Sequence, residues 1–159
     1  MIYKLGVVGH PVKHSLSPKI HRAFARQAGL EIIYDKYDIE DAELGLFIKE
    51  FFANGGKGLN ITVPHKLNCI KYVDTAATAV KRFMSANTLI TKEGGIFAES
   101  TDGPGFLKDL YVKEVDINKK ISLYLAQAEL LRVLFLLFVW AKNQTQFSYQ
   151  TELNQKLMN

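Results

Sequence analysis

The chain has 159 residues, 48% of them apolar and 23% charged, which is enough for one ordinary domain with a buried core and too apolar for a disordered chain. Its formal charge of +4 and pI of about 9.1 come from lysines and arginines scattered without a dense basic block, which argues against a nucleic-acid partner. The single cysteine, Cys69, excludes an internal disulfide and a cysteine-built metal site, and it fits a small buried apolar side chain in a reducing, cytoplasmic compartment.

The first fifteen residues, "MIYKLGVVGHPVKHS", are too briefly apolar for a signal peptide and contain a short strand, "YKLGVVG", closed by Gly9. "SPKIHRAFARQAGL" then predicts a helix with Ser17 as N-cap, Pro18 at the first helical position and Gly29 as the stop. Ile20, Phe24 and Gln27/Ala28 recur along one face of it at helical spacing. "EIIYDKYDI" is a second strand, and "DAELGLFIKEFFANGG" a second helix capped by Asp41 and stopped by Asn54, Gly55 and Gly56. In the third strand, "GLNITVP", Leu59, Ile61 and Val63 alternate with Asn60 and Thr62 until Pro64 removes a ladder donor. Two strand–helix–strand units in succession predict an α/β fold, a mainly parallel sheet with helices on both faces. "HKLNCIKYV" and "TAATAVKRFM" read as helical, "ANTLITKEGGIFAEST" as a hairpin around Gly94 and Gly95, and "GPGFLKDLYV" as the start of another helix.

The end of the chain has a different character. All eleven glycines lie at or before Gly105 and all four prolines at or before Pro104, so the last 54 residues lack the usual turn formers. Beyond residue 118 the only acids are Glu129 and Glu152. The nine apolar residues "VLFLLFVWA" (133–141) are bounded by Arg132 and Lys142 and fall short of a membrane span. A composition break near 118–122 divides a first domain, 1–118, from an atypical helical or poorly ordered tail, 119–159.

Ligands of such sheets bind outside the carboxyl ends of the strands. The loops "GHPVKHSLSP", "PHK" and "ESTDG" would then share one crevice, with Ser15, Ser17, Asn60, Thr62, Lys66, Asn87, Thr101 and Asp102 as candidates for one polar site. Hydroxyls and amides suit a polyhydroxylated or carboxylated small molecule, and a lysine near an aspartate can stabilise a developing alkoxide or pass a proton. Each residue also has a plainer reading. Ser17 serves equally as a helix cap, Asn60 and Thr62 as partners of neighbouring backbone, and Asn87 and Asp102 as turn residues. His10, His14, His21 and His65 show no metal-ligand spacing, and none is assigned chemistry.

Taken together, "SLSP" (15–18), "NITVPHK" (60–66), "SANTL" (85–89) and "STDGPGF" (100–106) strongly resemble the shikimate dehydrogenase family, over residues 2 to about 120. The resemblance implies an N-terminal substrate domain, followed in the family by a Rossmann domain for NADP, and reduction of 3-dehydroshikimate to shikimate in aromatic amino-acid biosynthesis. It implies Ser15 and Ser17 on the substrate carboxylate, and Asn60, Thr62, Lys66, Asn87 and Asp102 on the ring oxygens. Lys66 and Asp102 would be the catalytic pair, and no metal is implied.

The sequence departs from the family pattern in two places. Ser100 stands where the family usually has asparagine, which shortens one hydrogen-bonding side chain beside Asp102. After "INKK" (117–120), where the family continues with a glycine-rich turn for the cofactor pyrophosphate, this chain reads "ISLYLAQAELLRVLFLLF". The expectation is a chain truncated before the Rossmann domain, its tail a remnant arising from a reading-frame shift or damaged gene, and impaired in NADP binding. The alternative is a non-enzymatic shikimate-binding or interaction fragment that self-associates through its apolar tail.

Overall fold

The structure, a computed structural model, describes residues 1–114. The expected boundary near 118 and the apolar tail lie outside the described residues. The chain divides into two units between Thr101 and Asp102.

The first unit is built on six strands: β1 (Ile2–Gly9), β2 (Glu31–Asp38), β3 (Gly56–Ile61), β4 (Thr75–Ala76), β5 (Thr88–Lys92) and β6 (Gly95–Glu99), arranged in the order β2-β1-β3-β5-β6-β4. β1 pairs parallel with β2 and β3, and β4 pairs parallel with β6, whereas β5 runs antiparallel to both of its neighbours. The sheet is therefore mixed but mostly parallel, as the repeated strand–helix–strand pattern requires. The hairpin around Gly94 and Gly95 supplies the antiparallel part, and both glycines adopt positive φ there.

Helices cover both faces. α1 (Ser17–Ala28) packs on the face carrying Val7 and Tyr34, which form a small core with Val12. α2 (Leu44–Ala53) covers the opposite face, where Leu44, Ile48 and Phe51 meet Val8, Leu59 and Ile61 in the main core. Val7 and Val8 point to opposite faces because strand side chains alternate, and so each feeds a different core. Complete burial of Leu44 and Ile48 contributes roughly 1.5–3 kcal/mol for each side chain. The second unit is described through α4 (Asp102–Val112).

Several local readings change. Gly29 ends α1 at φ 66, as expected, but the buried residue of that helix is Ala25. Ile20 and Phe24 are 46% and 59% exposed, so the apolar spacing marked the outer flank of α1 rather than its core face. Asp41 does not cap α2, whose N-cap position is held by Glu43 without a side-chain bond. "NCIKY" (68–72) is a short 3₁₀ turn, and "TAATAVKRF" splits into the two-residue β4 and a single short helix, α3 (Thr78–Phe83). Cys69 is buried as expected, and burial pushes its thiol up to about 12. The native protein at pH 8 should therefore react with an aromatic disulfide reagent at least about 100-fold more slowly than the denatured chain. Equal rates before and after denaturation would contradict this burial.

Candidate functional site

Strand direction gathers the polar residues at one edge of the sheet. Gly9 and Ile61 end parallel strands on the same side. β5 then runs back with Thr88 beside Asn60, and β6 returns with Glu99 beside Thr88. Ser15, Ser17, Asn60, Thr62, Lys66, Asn87 and Thr101 consequently follow, or stand at, strand ends along that edge. Asp102 opens α4 in the second unit, where its carboxylate lies in the first helical turn, a position favoured by the positive end of the helix dipole.

The two serines form a closed local unit. The Ser17 N–H donates to Ser15 Oγ at 3.2 Å, and the Ser15 hydroxyl donates to Ser17 Oγ at 3.1 Å. The N-cap position belongs to Leu16 and carries no side-chain cap bond, so Ser17 is not the helix cap. Its hydroxyl accepts from Ser15 instead, while the Tyr34 hydroxyl donates to Asn60 Oδ1 at 2.6 Å. Asn60 thus serves a side chain, not neighbouring backbone. Burial pushes the Tyr34 phenol up to about 12, against a smaller downward pull from the Ser17 hydroxyl.

Asn87 joins the ends of three strands. Its Oδ1 accepts from the Thr101 N–H at 2.9 Å and from the Thr88 hydroxyl at 3.0 Å, while its Nδ2 donates to Thr101 Oγ1 at 2.8 Å. Its main chain accepts from the Ile61 N–H at 2.8 Å and donates to the Glu99 carbonyl at 3.1 Å. The loop residue Ser100 is buried, and its N–H donates to Glu99 Oε1 at 2.9 Å. Asn87 is therefore a clamp on the segment that leads to Asp102, beyond a simple turn residue.

Thr62 is held by main-chain bonds on both sides, donating to the Val8 carbonyl at 2.9 Å and accepting from the His65 N–H at 2.9 Å. It stands close against Gly9: a Cβ there would lie 2.4 Å from Thr62 Cγ2, so glycine is required for this approach. Lys66 is partly buried, and its carbonyl accepts from the Ala86 N–H at 2.9 Å.

His65, between Thr62 and Lys66, was given no role on sequence grounds, yet it is completely buried. Its Nε2 donates to the Ile39 carbonyl at 2.7 Å, and Nδ1 lies 3.3 Å from Asp41 Oδ1. Both Asp41 oxygens also accept from Asn68 Nδ2 at 2.9 Å. The Asn68 bond, followed by His65 and Lys71, holds the Asp41 carboxyl below its ordinary value of 3.8 against some desolvation. A carboxyl lowered on folding stabilises the fold above its unfolded value, and that contribution disappears as pH falls through the folded one. Asn68→Ala should move the Asp41 midpoint back up toward 3.8, read from the carboxyl carbon shift in an NMR titration. An unmoved midpoint would transfer the effect to His65 and Lys71.

Two strand–helix–strand units with their polar side chains collected at the carboxyl edge define an α/β domain of the small-molecule-binding class. Residues 7–89 match the family described as the shikimate dehydrogenase substrate binding domain, and the chain belongs to that family. It is 41% identical over 112 residues to the shikimate dehydrogenase (NADP(+)) of Alkalilimnicola ehrlichii, a match that covers 70% of this chain and 42% of that protein. Among solved structures it resembles the shikimate dehydrogenase of Aquifex aeolicus, with TM-score 0.71 and 36% identity over 75% of this chain and 45% of that one. It also resembles the Thermus thermophilus shikimate 5-dehydrogenase in complex with NADP(H) and shikimate, with TM-score 0.68 and 33% identity over 72% of this chain and 44% of that one. The chain spans about two fifths of the length of the curated relatives it matches.

Proposed function

We propose that this chain carries the substrate half of a cytoplasmic, NADP-dependent shikimate dehydrogenase and binds shikimate and 3-dehydroshikimate. The observation that supports the reading most is the convergence of Ser15, Ser17, Asn60, Thr62, Lys66 and Asn87 on one sheet edge, in a chain of this family. Paired serine hydroxyls beside a helix N-terminus suit the substrate carboxylate. Amide and hydroxyl groups on Asn60, Thr62 and Asn87 suit the ring hydroxyls, and they would reject analogues lacking them because the site's polar groups would then be left unpaired. The Lys66 ammonium would stabilise charge at the ring carbonyl oxygen or give it a proton, and Asp102 is proposed as the second residue of the catalytic pair.

The cofactor fits this chain poorly. Residues 106–159 contain no glycine, and a pyrophosphate needs a tight turn whose backbone can approach it closely. The chain is therefore proposed to bind substrate while being impaired for NADP, and no residue is assigned to the cofactor. The same glycine-free stretch favours a second reading, a non-enzymatic shikimate-binding or interaction module that associates through its apolar tail. Calorimetric titration with shikimate and then NADP tests both. Shikimate binding without NADP binding is the expected result, whereas saturable NADP binding with turnover would overturn the impairment. No shikimate binding would overturn the substrate assignment.

A further inference from the structure

We infer that Tyr34 is a positioning residue for Asn60: its buried phenol holds Asn60 Oδ1, so that Asn60 presents Nδ2, a donor, to the substrate. The inference rests on the proposed shikimate site and names a residue outside the set expected to touch the substrate.

The contact is made across a strand. Tyr34 stands opposite Leu5, and Asn60 opposite Val7, two residues further along β1, so both side chains lie on the face of the sheet that carries α1. The tyrosine ring packs on Val7, and its hydroxyl donates to Asn60 Oδ1 at 2.6 Å. That distance belongs to an O–H···O bond and lies below the usual range for an amide N–H donor, so the amide oxygen, not its nitrogen, faces the phenol. The ring is firmly held. It is 1% exposed, packs with Val12 as well, and stacks on His21 with centroids 4.5 Å apart and planes 15° from parallel. Its carbonyl accepts from Arg22 Nη2 at 2.9 Å, so adjacent residues of α1 fix both the ring and the backbone of Tyr34.

Orientation decides what the amide can recognise. An amide offers an acceptor at one end and two donor hydrogens at the other, and half a turn exchanges them. Asn60 is half-buried near the end of β3. With Oδ1 held inward, Nδ2 is the end left for a ligand, and it suits a hydroxyl or carbonyl oxygen of the ring. Without the phenol the amide would take either orientation, and binding would carry the cost of selecting the productive one.

Tyr34→Phe removes the hydroxyl and keeps the ring. In the full chain we expect about a tenfold loss of shikimate affinity by calorimetry, with the melting temperature as a check on folding. The decisive readout is a double-mutant cycle. In an Asn60→Ala background, the same Tyr34→Phe substitution should change affinity by less than about twofold. A tyrosine that only packs the small core would cost the same in both backgrounds, and that outcome overturns the inference. Asn60→Asp leaves the phenol an acceptor but makes the outward atom an oxygen, so shikimate affinity should fall at least as far as with alanine. An aspartate variant that binds as well as the unsubstituted chain also overturns it.

A ligand-free measurement separates this inference from the substrate assignment. Tyr34→Phe should shift the Asn60 side-chain amide signals in the NMR spectrum, which are identified by their loss in Asn60→Ala. If shikimate fails to bind while this shift is seen, the substrate assignment fails and the hold on Asn60 stands. Amide signals unmoved by Tyr34→Phe would overturn the inference whether or not shikimate binds.

Discussion

Lys66→Ala, in a chimera joining residues 1–114 to the cofactor domain of a solved relative, should lower kcat by about 1,000-fold and change KM only several-fold. The main chain fixes where the lysine starts. Its carbonyl is bonded to the Ala86 N–H, and the preceding His65 is anchored in the interior, so the side chain starts from a fixed base at the sheet edge. A group that acts on charge developing at the ring oxygen contributes most in the transition state, and its loss is read in kcat. Lys66→Arg separates two versions of the role. Arginine keeps a positive charge but does not release a proton near neutrality, so it should recover binding without recovering turnover if Lys66 transfers the proton. Recovery of turnover with arginine would make the role electrostatic. Near-normal turnover of the alanine variant would reduce Lys66 to a binding residue.

What the sequence made legible were features written into neighbouring residues. The alternation of Leu59 and Ile61 with Asn60 states the strand and its two faces, although the strand stops at Ile61 and Val63 beyond it is exposed; the Gly94–Gly95 pair states a hairpin. Local spacing could not tell which flank of α1 faces the sheet. Ile20 and Phe24 make the more apolar stripe, yet His21 and Ala25 turn inward, because the sheet presents a phenol there and a stacked imidazole suits it. Tyr34 itself was invisible as a site residue. In "EIIYDKYDI" it is one more aromatic strand position, and its meaning lies in Asn60, 26 residues later, brought alongside through β1. Ser17 was misread for a local reason: next to Pro18 a serine looks like a cap, while the N-cap position falls one residue earlier at Leu16 and the Ser17 hydroxyl meets Ser15. The two-residue β4 is too short to display any period. The order of motifs revealed the family earlier than any single residue revealed its role, since each motif had an ordinary local explanation.

His65→Ala should be among the most damaging substitutions in the first unit, lowering unfolding stability by about 3 kcal/mol in chemical denaturation. Two losses combine. Removing a wholly buried ring leaves a cavity, and the Ile39 carbonyl loses the donor that meets it at 2.7 Å. The contact with Asp41 adds less, because that carboxylate is 55% exposed and solvent screens it. The consequence should reach the site as well. The His65 main chain donates to Thr62 and accepts from Cys69, so the imidazole pins the segment between Thr62 and Lys66 to the end of β2. His65→Gln should restore part of the stability, since an amide can still donate to Ile39, while its flexible side chain leaves the segment less well fixed. Shikimate affinity should then fall further than stability in this variant, measured well below the unfolding midpoint. Full recovery of both by glutamine would show that any buried donor suffices, and an alanine variant as stable as wild type would remove His65 from the framework of the site altogether.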